Sequence, residues 1–175
     1  MVNSKFKETI ILNYNKIKNS KFIFITGLPG SGKSTLGREL SKKYKLKYIE
    51  LDLIEKELVD KYGLNKIKKL PEIEFWDLYY EYSINKYPNG SVIEGVQVLN
   101  FDFSLMKKYV IIAFKPNILK SSYRAIKREV GTDGDVISIK FVKWLYNNLD
   151  FVKYLEELII KIENEDSNTN IINNW

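Results

Sequence analysis

The chain has 175 residues, of which 45% are hydrophobic and 29% are charged, as is typical of one globular domain. Its formal net charge is +6, but the lysines are scattered, so nucleic acid is a possible partner that the sequence does not favour. The absence of cysteine excludes disulfides and thiolate chemistry, and the absence of histidine leaves proton transfer near neutral pH to Asp, Glu or Lys.

No segment approaches the roughly 20 apolar residues that cross a bilayer, and the N-terminus lacks the apolar core of a signal peptide. We therefore expect a cytoplasmic protein that does not bind a membrane. The composition does not indicate an oligomeric state.

Strands and helices are predicted to alternate along the chain. Residues 2–20 suit an amphipathic helix, with a short strand at Thr9–Leu12 as the alternative. The predicted strands are Phe22–Thr26, Lys47–Leu51, Ser91–Val98 and Tyr109–Phe114. The predicted helices are Gly32–Tyr44, Leu53–Tyr62 and Pro71–Tyr87, followed by helical sequence at about 119–129 and 139–163. A single domain is expected to span 1–175, with a mobile polar tail at about 164–175.

The central predicted strands are nearly continuous apolar runs, which is typical of a parallel sheet covered on both faces. We therefore predict an α/β fold with a mostly parallel central sheet of four or five strands and helices on both faces. Ligands of such sheets bind at the carboxyl ends of the strands. The residues that follow each strand are therefore the candidates for function.

The first strand is followed by the segment Gly27-Leu28-Pro29-Gly30-Ser31-Gly32-Lys33-Ser34. Its spacing is that of the Walker A phosphate-binding loop, in which glycines let a polyphosphate approach the backbone N–H groups. Lys33 can reach the β- and γ-phosphates, and the Ser34 hydroxyl can join the shell of a Mg²⁺ ion. We predict a three-layer P-loop NTPase fold that binds ATP or GTP with Mg²⁺ through Gly27, Gly30, Ser31, Gly32, Lys33, Ser34 and Thr35.

Residues 22–57 resemble the first third of P-loop small-molecule kinases, above all shikimate kinase and the nucleoside monophosphate kinases. The matching features are Ser34-Thr35, Gly37-Arg38 and the acidic pair in Glu50-Leu51-Asp52. The resemblance implies ATP-dependent phosphoryl transfer to a small-molecule acceptor, with Asp52 contacting the acceptor and taking its proton. Glu50 replaces the Asp that serves the metal side in shikimate kinase.

After the third strand, shikimate kinases have three glycines, whereas this chain has Glu94-Gly95-Val96-Gln97. An acidic residue followed by glycine is similar to the nucleoside monophosphate kinases and uridine kinase. That resemblance implies that Glu94 holds Mg²⁺ or positions the acceptor, and Gln97 is predicted to bind the acceptor. The alternative for Glu94 is a capping residue before a turn glycine.

The sequence has only three arginines, and Arg124 and Arg128 lie four residues apart after the fourth strand. They are similar to the arginines that open the lid of these kinases, and a solvated helix face is the alternative. Asp133 and Asp135 are interpreted as turn residues, with metal binding as the alternative.

The predicted function is that of a P-loop kinase whose catalytic residues are Lys33, Asp52, Arg124 and Arg128. No motif distinguishes shikimate, a nucleoside, a nucleotide or a sugar as the acceptor. Two alternatives stay open: a polynucleotide or sugar-nucleotide kinase, as in zeta-type toxins, and a regulatory ATPase or switch that has no acceptor.

Overall fold

The computed structural model describes residues 14–104, 106–115, 117, 119, 123–124, 126–127, 149–150, 152–154, 156–161, 164 and 169–173. The strands in this part of the chain are β1 Phe22–Thr26, β2 Lys47–Glu50, β3 Ser91–Glu94, β4 Tyr109–Lys115 and β5 Thr169–Asn173. The helices are α1 Tyr14–Asn19, α2 Lys33–Tyr44, α3 Leu51–Tyr62, α4 Leu64–Ile67 and α5 Glu72–Lys86, with a 3₁₀ helix at Val96–Asn100. Helical backbone is also present at 119, 123–124, 126–127, 149–150, 152–154, 156–161 and 164.

The strands form one sheet in the order β2-β3-β1-β4-β5, and each neighbouring pair is parallel. The predicted α/β fold with a parallel sheet of four or five strands is therefore confirmed. The order places β3 between β1 and β2, with Glu94 beside Ile25 on one side and beside Glu50 on the other. The last residues of three strands thus meet at the carboxyl edge of the sheet.

Each face of the sheet has its own hydrophobic core, because successive side chains of a strand point to opposite faces. Phe24 of β1 packs in one cluster with Leu58 of α3 and Tyr79 of α5. Its neighbour Ile25 packs on the opposite face with Leu36 of α2. Helices therefore cover both faces, as the three-layer prediction requires. Of the helices that the structure describes, none is long and apolar enough to cross a membrane.

Two predicted element boundaries differ from the structure by two residues or more. The third strand was expected to reach Val98, but β3 ends at Glu94 and a 3₁₀ helix starts at Val96. Just past the end of β3, the N–H of Gly95 still donates a hydrogen bond to the carbonyl of Ile25 on β1, at 3.0 Å.

Helix α3 begins at Leu51 and not at Leu53, because Leu51, Ile54 and Leu58 form one buried stripe at helical spacing. Asp52 therefore lies in the first helical turn and not in a loop after β2. A carboxylate is favoured at this end of a helix, where the backbone N–H groups point outward.

The expectation of a mobile tail at about 164–175 is wrong for Thr169–Asn173. These residues form β5, which pairs in parallel with β4 from Ile111 to Lys115. An edge strand forms its pairing through backbone groups, so the polar composition of the tail does not prevent it. The alternative strand at Thr9–Leu12 lies outside the described residues.

Candidate active site

A cleft of about 800 Å³ opens at the carboxyl edge of the sheet. Its walls come from the phosphate loop after β1, the ends of β2 and β3, and a helical segment after β4. Of the residues predicted to have a function, those that line it are Gly30, Gly32, Lys33, Ser34, Thr35, Asp52, Glu94 and Arg124. The topology therefore brings together residues that are far apart in the sequence.

The phosphate loop has a positive φ at each of its three glycines, Gly27, Gly30 and Gly32. Gly27 has φ +144°, and a Cβ there would lie 2.8 Å from Cβ of Phe114 on β4. Gly32 is the N-cap of α2 with φ +100°, a left-handed conformation that L side chains rarely adopt. The helix then starts at Lys33, so the N–H groups of its first turn are available to a phosphate.

Two predicted loop residues, Gly27 and Ser31, do not border the cleft. Ser31 is buried, and its N–H donates to the carbonyl of Leu28 at 3.0 Å, which closes the turn of the loop. Its hydroxyl oxygen has no hydrogen-bond partner among the described residues. Both residues therefore contribute to the shape of the loop in this structure.

Glu94 is the buried acidic residue of the cleft, with 6% of its surface exposed. Its Oε1 accepts hydrogen bonds from the hydroxyl of Ser34 at 3.0 Å and from the hydroxyl of Tyr48 at 3.1 Å. Its Oε2 lies 4.0 Å from Nζ of Lys33. The carboxylate is therefore adjacent to both predicted phosphate-side residues of the loop.

The residues around Glu94 fit a Mg²⁺ ion. Oε2 of Glu94 is buried and has no hydrogen-bond partner within the part of the chain that the structure describes. A buried charged oxygen without a hydrogen bond is costly, and a bound cation lowers that cost. The described residues contain no cluster of three or more acidic, His or Cys groups suited to a metal. Mg²⁺ commonly binds through one or two carboxylates and the phosphates of its substrate, so Ser34 and Glu94 are a sufficient protein contribution.

Glu50, at the end of β2, has a different partner. Its Oε1 accepts a hydrogen bond from the guanidinium of Arg38 at 2.7 Å. The same guanidinium lies 5.5 Å from the ring centroid of Tyr48. Glu50 lines the cleft, but its charge is already balanced by an arginine.

Asp52 lines the cleft from the first turn of α3. Nε2 of Gln97 donates a hydrogen bond of 2.8 Å to Oδ1 of Asp52, although Gln97 is not among the residues that border the cleft. The buried hydroxyl of Tyr79 donates to the backbone carbonyl of Leu51, which anchors the same turn to α5. Burial, the first cause, and the nearby carboxylates of Glu55 and Asp52 raise the pKa of Tyr79 above its usual range, so its hydroxyl stays a donor.

The predicted lid arginines have different outcomes. Arg124 is exposed and lines the cleft together with Lys127, which lies one helical turn away. Arg128 falls outside the described residues, as do Asp133 and Asp135.

Sequence reasoning missed Tyr48. Its hydroxyl bonds to Glu94 across 46 residues of sequence, a distance at which no local spacing indicates a contact. Burial, the larger cause, together with the charges of Glu94 and Glu50 raises the pKa of Tyr48 above its usual range. The Gly37-Arg38 pair was the available signal, because a Cβ at Gly37 would clash with the ring of Tyr48 and the Arg38 guanidinium lies over that ring.

Comparison with known proteins gives consistent results. The sequence model described as shikimate kinase matches residues 29–78. A shikimate kinase of Clostridium botulinum is 31% identical over 165 residues, which cover 86% of this chain and 93% of that relative. A cytidylate kinase of Sulfurisphaera tokodaii is 50% identical over 46 residues, or 26% of each chain. The crystal structure of an uncharacterized protein from Eubacterium ventriosum has a TM-score of 0.50 at 14% identity, covering 79% of this chain and 80% of that one, which indicates a similar fold.

The family match includes the phosphate loop from Pro29 onward and the start of α3. The phosphate loop, Glu94 at the end of β3 and Asp52 at the start of α3 border the same cleft. The prediction of a P-loop kinase that uses ATP and a small-molecule acceptor is confirmed. The chain belongs to the shikimate kinase family.

Proposed function

We propose that this protein transfers the γ-phosphoryl group of Mg²⁺-bound ATP to a hydroxyl of a small acceptor, with shikimate as the first acceptor to test. One observation carries the proposal: the phosphate loop and Asp52 line the same cleft. A kinase needs both parts side by side, because the phosphoryl group passes directly from nucleotide to acceptor. A nucleotide-dependent switch needs only the loop.

On the nucleotide side, the backbone N–H groups at the start of α2 and the ammonium group of Lys33 bind the triphosphate. Ser34 and Glu94, whose side chains are hydrogen-bonded at 3.0 Å, would hold the metal ion. When bound, Mg²⁺ would neutralise charge on the β- and γ-phosphates.

On the acceptor side, Asp52 is the general base. The acceptor oxygen forms a bond to the γ-phosphorus while the bond from that phosphorus to the β,γ-bridging oxygen breaks. ADP leaves with the electron pair of the broken bond, and the hydroxyl proton passes to the carboxylate of Asp52. Gln97 fixes the orientation of this carboxylate through its 2.8 Å hydrogen bond.

Arg124 contributes charge from the third wall of the cleft. A guanidinium can make a forked contact with the oxygens of the transferring group, which disperses the charge that develops there. Arg128, four residues further along the chain, is proposed for the same role on the basis of its spacing.

The proposal is tested by measuring ADP formation with saturating Mg²⁺ and ATP, in the presence and absence of shikimate. We expect ADP formation to require the acceptor, and mass spectrometry to detect a phosphorylated acceptor. Rapid ADP formation without an acceptor, unchanged in Asp52→Asn, would favour a regulatory ATPase instead.

A nucleoside monophosphate is the second candidate acceptor. Glu94 is followed by Gly95 at the end of β3, and the cytidylate kinase is 50% identical over its 46 matching residues. Replacing shikimate by CMP in the same assay separates the two candidates. Phosphorylation of CMP alone would change the identity of the acceptor and leave the roles of the phosphate loop unchanged.

A further inference from the structure

Tyr48 links the outer strand of the sheet to the carboxylate of Glu94. It lies on β2, and its hydroxyl donates to Oε1 of Glu94 on β3 at 3.1 Å. Ser34 donates to the same oxygen at 3.0 Å. Oε1 therefore accepts two hydrogen bonds, while Oε2 has none from the described residues and lies 4.0 Å from Nζ of Lys33.

Gly37 of α2, the helix that follows the phosphate loop, leaves the space for the Tyr48 ring. A Cβ at Gly37 would lie 2.6 Å from Cε2 and 3.3 Å from Cδ2 of Tyr48. The guanidinium of Arg38 lies 5.5 Å from the ring centroid and is itself hydrogen-bonded to Glu50. The ring is therefore held between neighbours that restrict its movement, and its hydroxyl reaches the carboxylate of Glu94.

The two oxygens of Glu94 are thus made unequal by their surroundings. A carboxylate that accepts two hydrogen bonds on one oxygen cannot rotate without breaking both. Such second contacts orient a ligating side chain, and their loss typically lowers metal affinity by about 10- to 100-fold.

We propose that Tyr48 is a positioning residue for the metal site: it holds Oε1 of Glu94 so that Oε2 is available to the Mg²⁺ of the bound nucleotide. The inference rests on the proposed function, since it assumes that Glu94 serves the metal. It adds that a residue of β2, which does not itself line the cleft, controls metal-dependent nucleotide binding.

The test is a calorimetric titration with a non-hydrolysable ATP analogue, AMPPNP, once with excess Mg²⁺ and once with EDTA. Tyr48→Phe removes the hydroxyl and keeps the ring beside Gly37. We expect Mg²⁺ to increase AMPPNP affinity about tenfold less in Tyr48→Phe than in the wild type, with the affinity in EDTA unchanged within about twofold. Thermal unfolding of both proteins is recorded to show that the variant is folded.

Tyr82→Phe is the matched control. The hydroxyl of Tyr82 also donates to a carboxylate, Oε2 of Glu57 at 3.2 Å, but neither residue borders the cleft. This variant is expected to keep the wild-type response to Mg²⁺. An unchanged Mg²⁺ response in Tyr48→Phe, or an equal loss of affinity with and without Mg²⁺, would overturn the positioning role. So would an equal change in Tyr82→Phe.

Glu94→Gln in the same titration separates this inference from the proposed function. If Glu94→Gln keeps the wild-type response to Mg²⁺, the proposed metal site is wrong and the inference fails with it. If Glu94→Gln loses the response and Tyr48→Phe keeps it, the metal site stands and only the role of Tyr48 is wrong. If both lose it, with affinity in EDTA preserved, the inference is supported.

Discussion

Two neighbouring strands, β2 and β3, end in glutamates that lie side by side in register, and the surroundings of the two side chains differ. The side chain of Glu50 is 31% exposed and is paired with Arg38, which is 59% exposed. The side chain of Glu94 is 7% exposed and lies beside Lys33 and Ser34 of the phosphate loop. The difference shows that the position of a strand in the sheet decides the chemistry of the carboxylate at its end.

The physical reason is the neighbour of each strand. β3 lies beside β1, so its last residue meets the phosphate loop, whereas β2 is an edge strand. An exposed ion pair such as Glu50–Arg38 is screened by solvent and contributes little energy. A buried carboxylate with one oxygen that accepts no hydrogen bond interacts more strongly with a cation than an exposed carboxylate does. The four predictions that follow test this contrast between the inner and the outer strand end.

The largest effect is expected from Lys33→Ala, beside Glu94 at the end of the inner strand β3. Removing this ammonium group takes away charge compensation for the transferring phosphates and the cationic neighbour of Glu94. We expect turnover to fall by at least ~10³, equivalent to about 4 kcal/mol of transition-state stabilisation. Steady-state kinetics with the preferred acceptor measure it, and Lys42→Ala, an exposed lysine in the last turn of the same helix, is the control. Wild-type turnover in Lys33→Ala would show that the loop is not the catalytic site.

The second-largest effect is expected from Asp52→Asn, two residues beyond the end of the outer strand β2. The amide cannot take the acceptor proton, so transfer should fall by about 10²-fold or more, while nucleotide affinity stays within a few-fold. Single-turnover transfer and AMPPNP binding are measured in parallel, and Asp60→Asn, an exposed aspartate of the same helix, is the control. Equal loss of binding and transfer would assign Asp52 to the metal side instead.

A smaller effect is expected from Arg124→Lys, which keeps the charge of the third wall and removes the forked contact. Turnover should fall on the order of tenfold, below the 10³- to 10⁵-fold contribution of a whole arginine, with nucleotide affinity within a few-fold. Acceptor-free ATP hydrolysis should stay slow in both proteins. If acceptor-free hydrolysis is fast and is unchanged in Arg124→Lys, this would falsify the proposed role of Arg124 in phosphoryl transfer to an acceptor.

The smallest effect is expected from Glu50→Gln. If the outer glutamate only pairs with Arg38, its loss should change the Mg²⁺ concentration for half-maximal activity by about fivefold at most, the equivalent of ~1 kcal/mol. A Mg²⁺ titration of activity, run beside Glu94→Gln, measures the difference between the two strand ends. A larger change in Glu50→Gln than in Glu94→Gln would reverse the comparison and return the metal role to β2.

Much of the nucleotide side could be predicted from the amino-acid sequence. The loop from Gly27 to Ser34 is a local pattern, in which fixed spacing determines both the turn and the start of α2. The continuous apolar runs likewise predicted a parallel sheet, since strands buried on both faces need them. Asp52 was identified from its place after the predicted second strand and from the resemblance to shikimate kinase, although it lies in a helix and not in a loop.

The rest depends on contacts between residues that are distant in the chain. No residue pattern states which strand lies beside β1, so only the three-dimensional arrangement shows that Glu94 meets the phosphate loop while Glu50 pairs with Arg38. The hydroxyl of Tyr48 reaches Glu94 for the same reason: the two residues are 46 positions apart in the sequence but lie on neighbouring strands, two register positions apart. The edge strand β5 was missed because pairing through backbone groups leaves little trace in composition. Local spacing determines turns and helix starts, whereas strand order results from the burial and hydrogen bonding of the whole sheet.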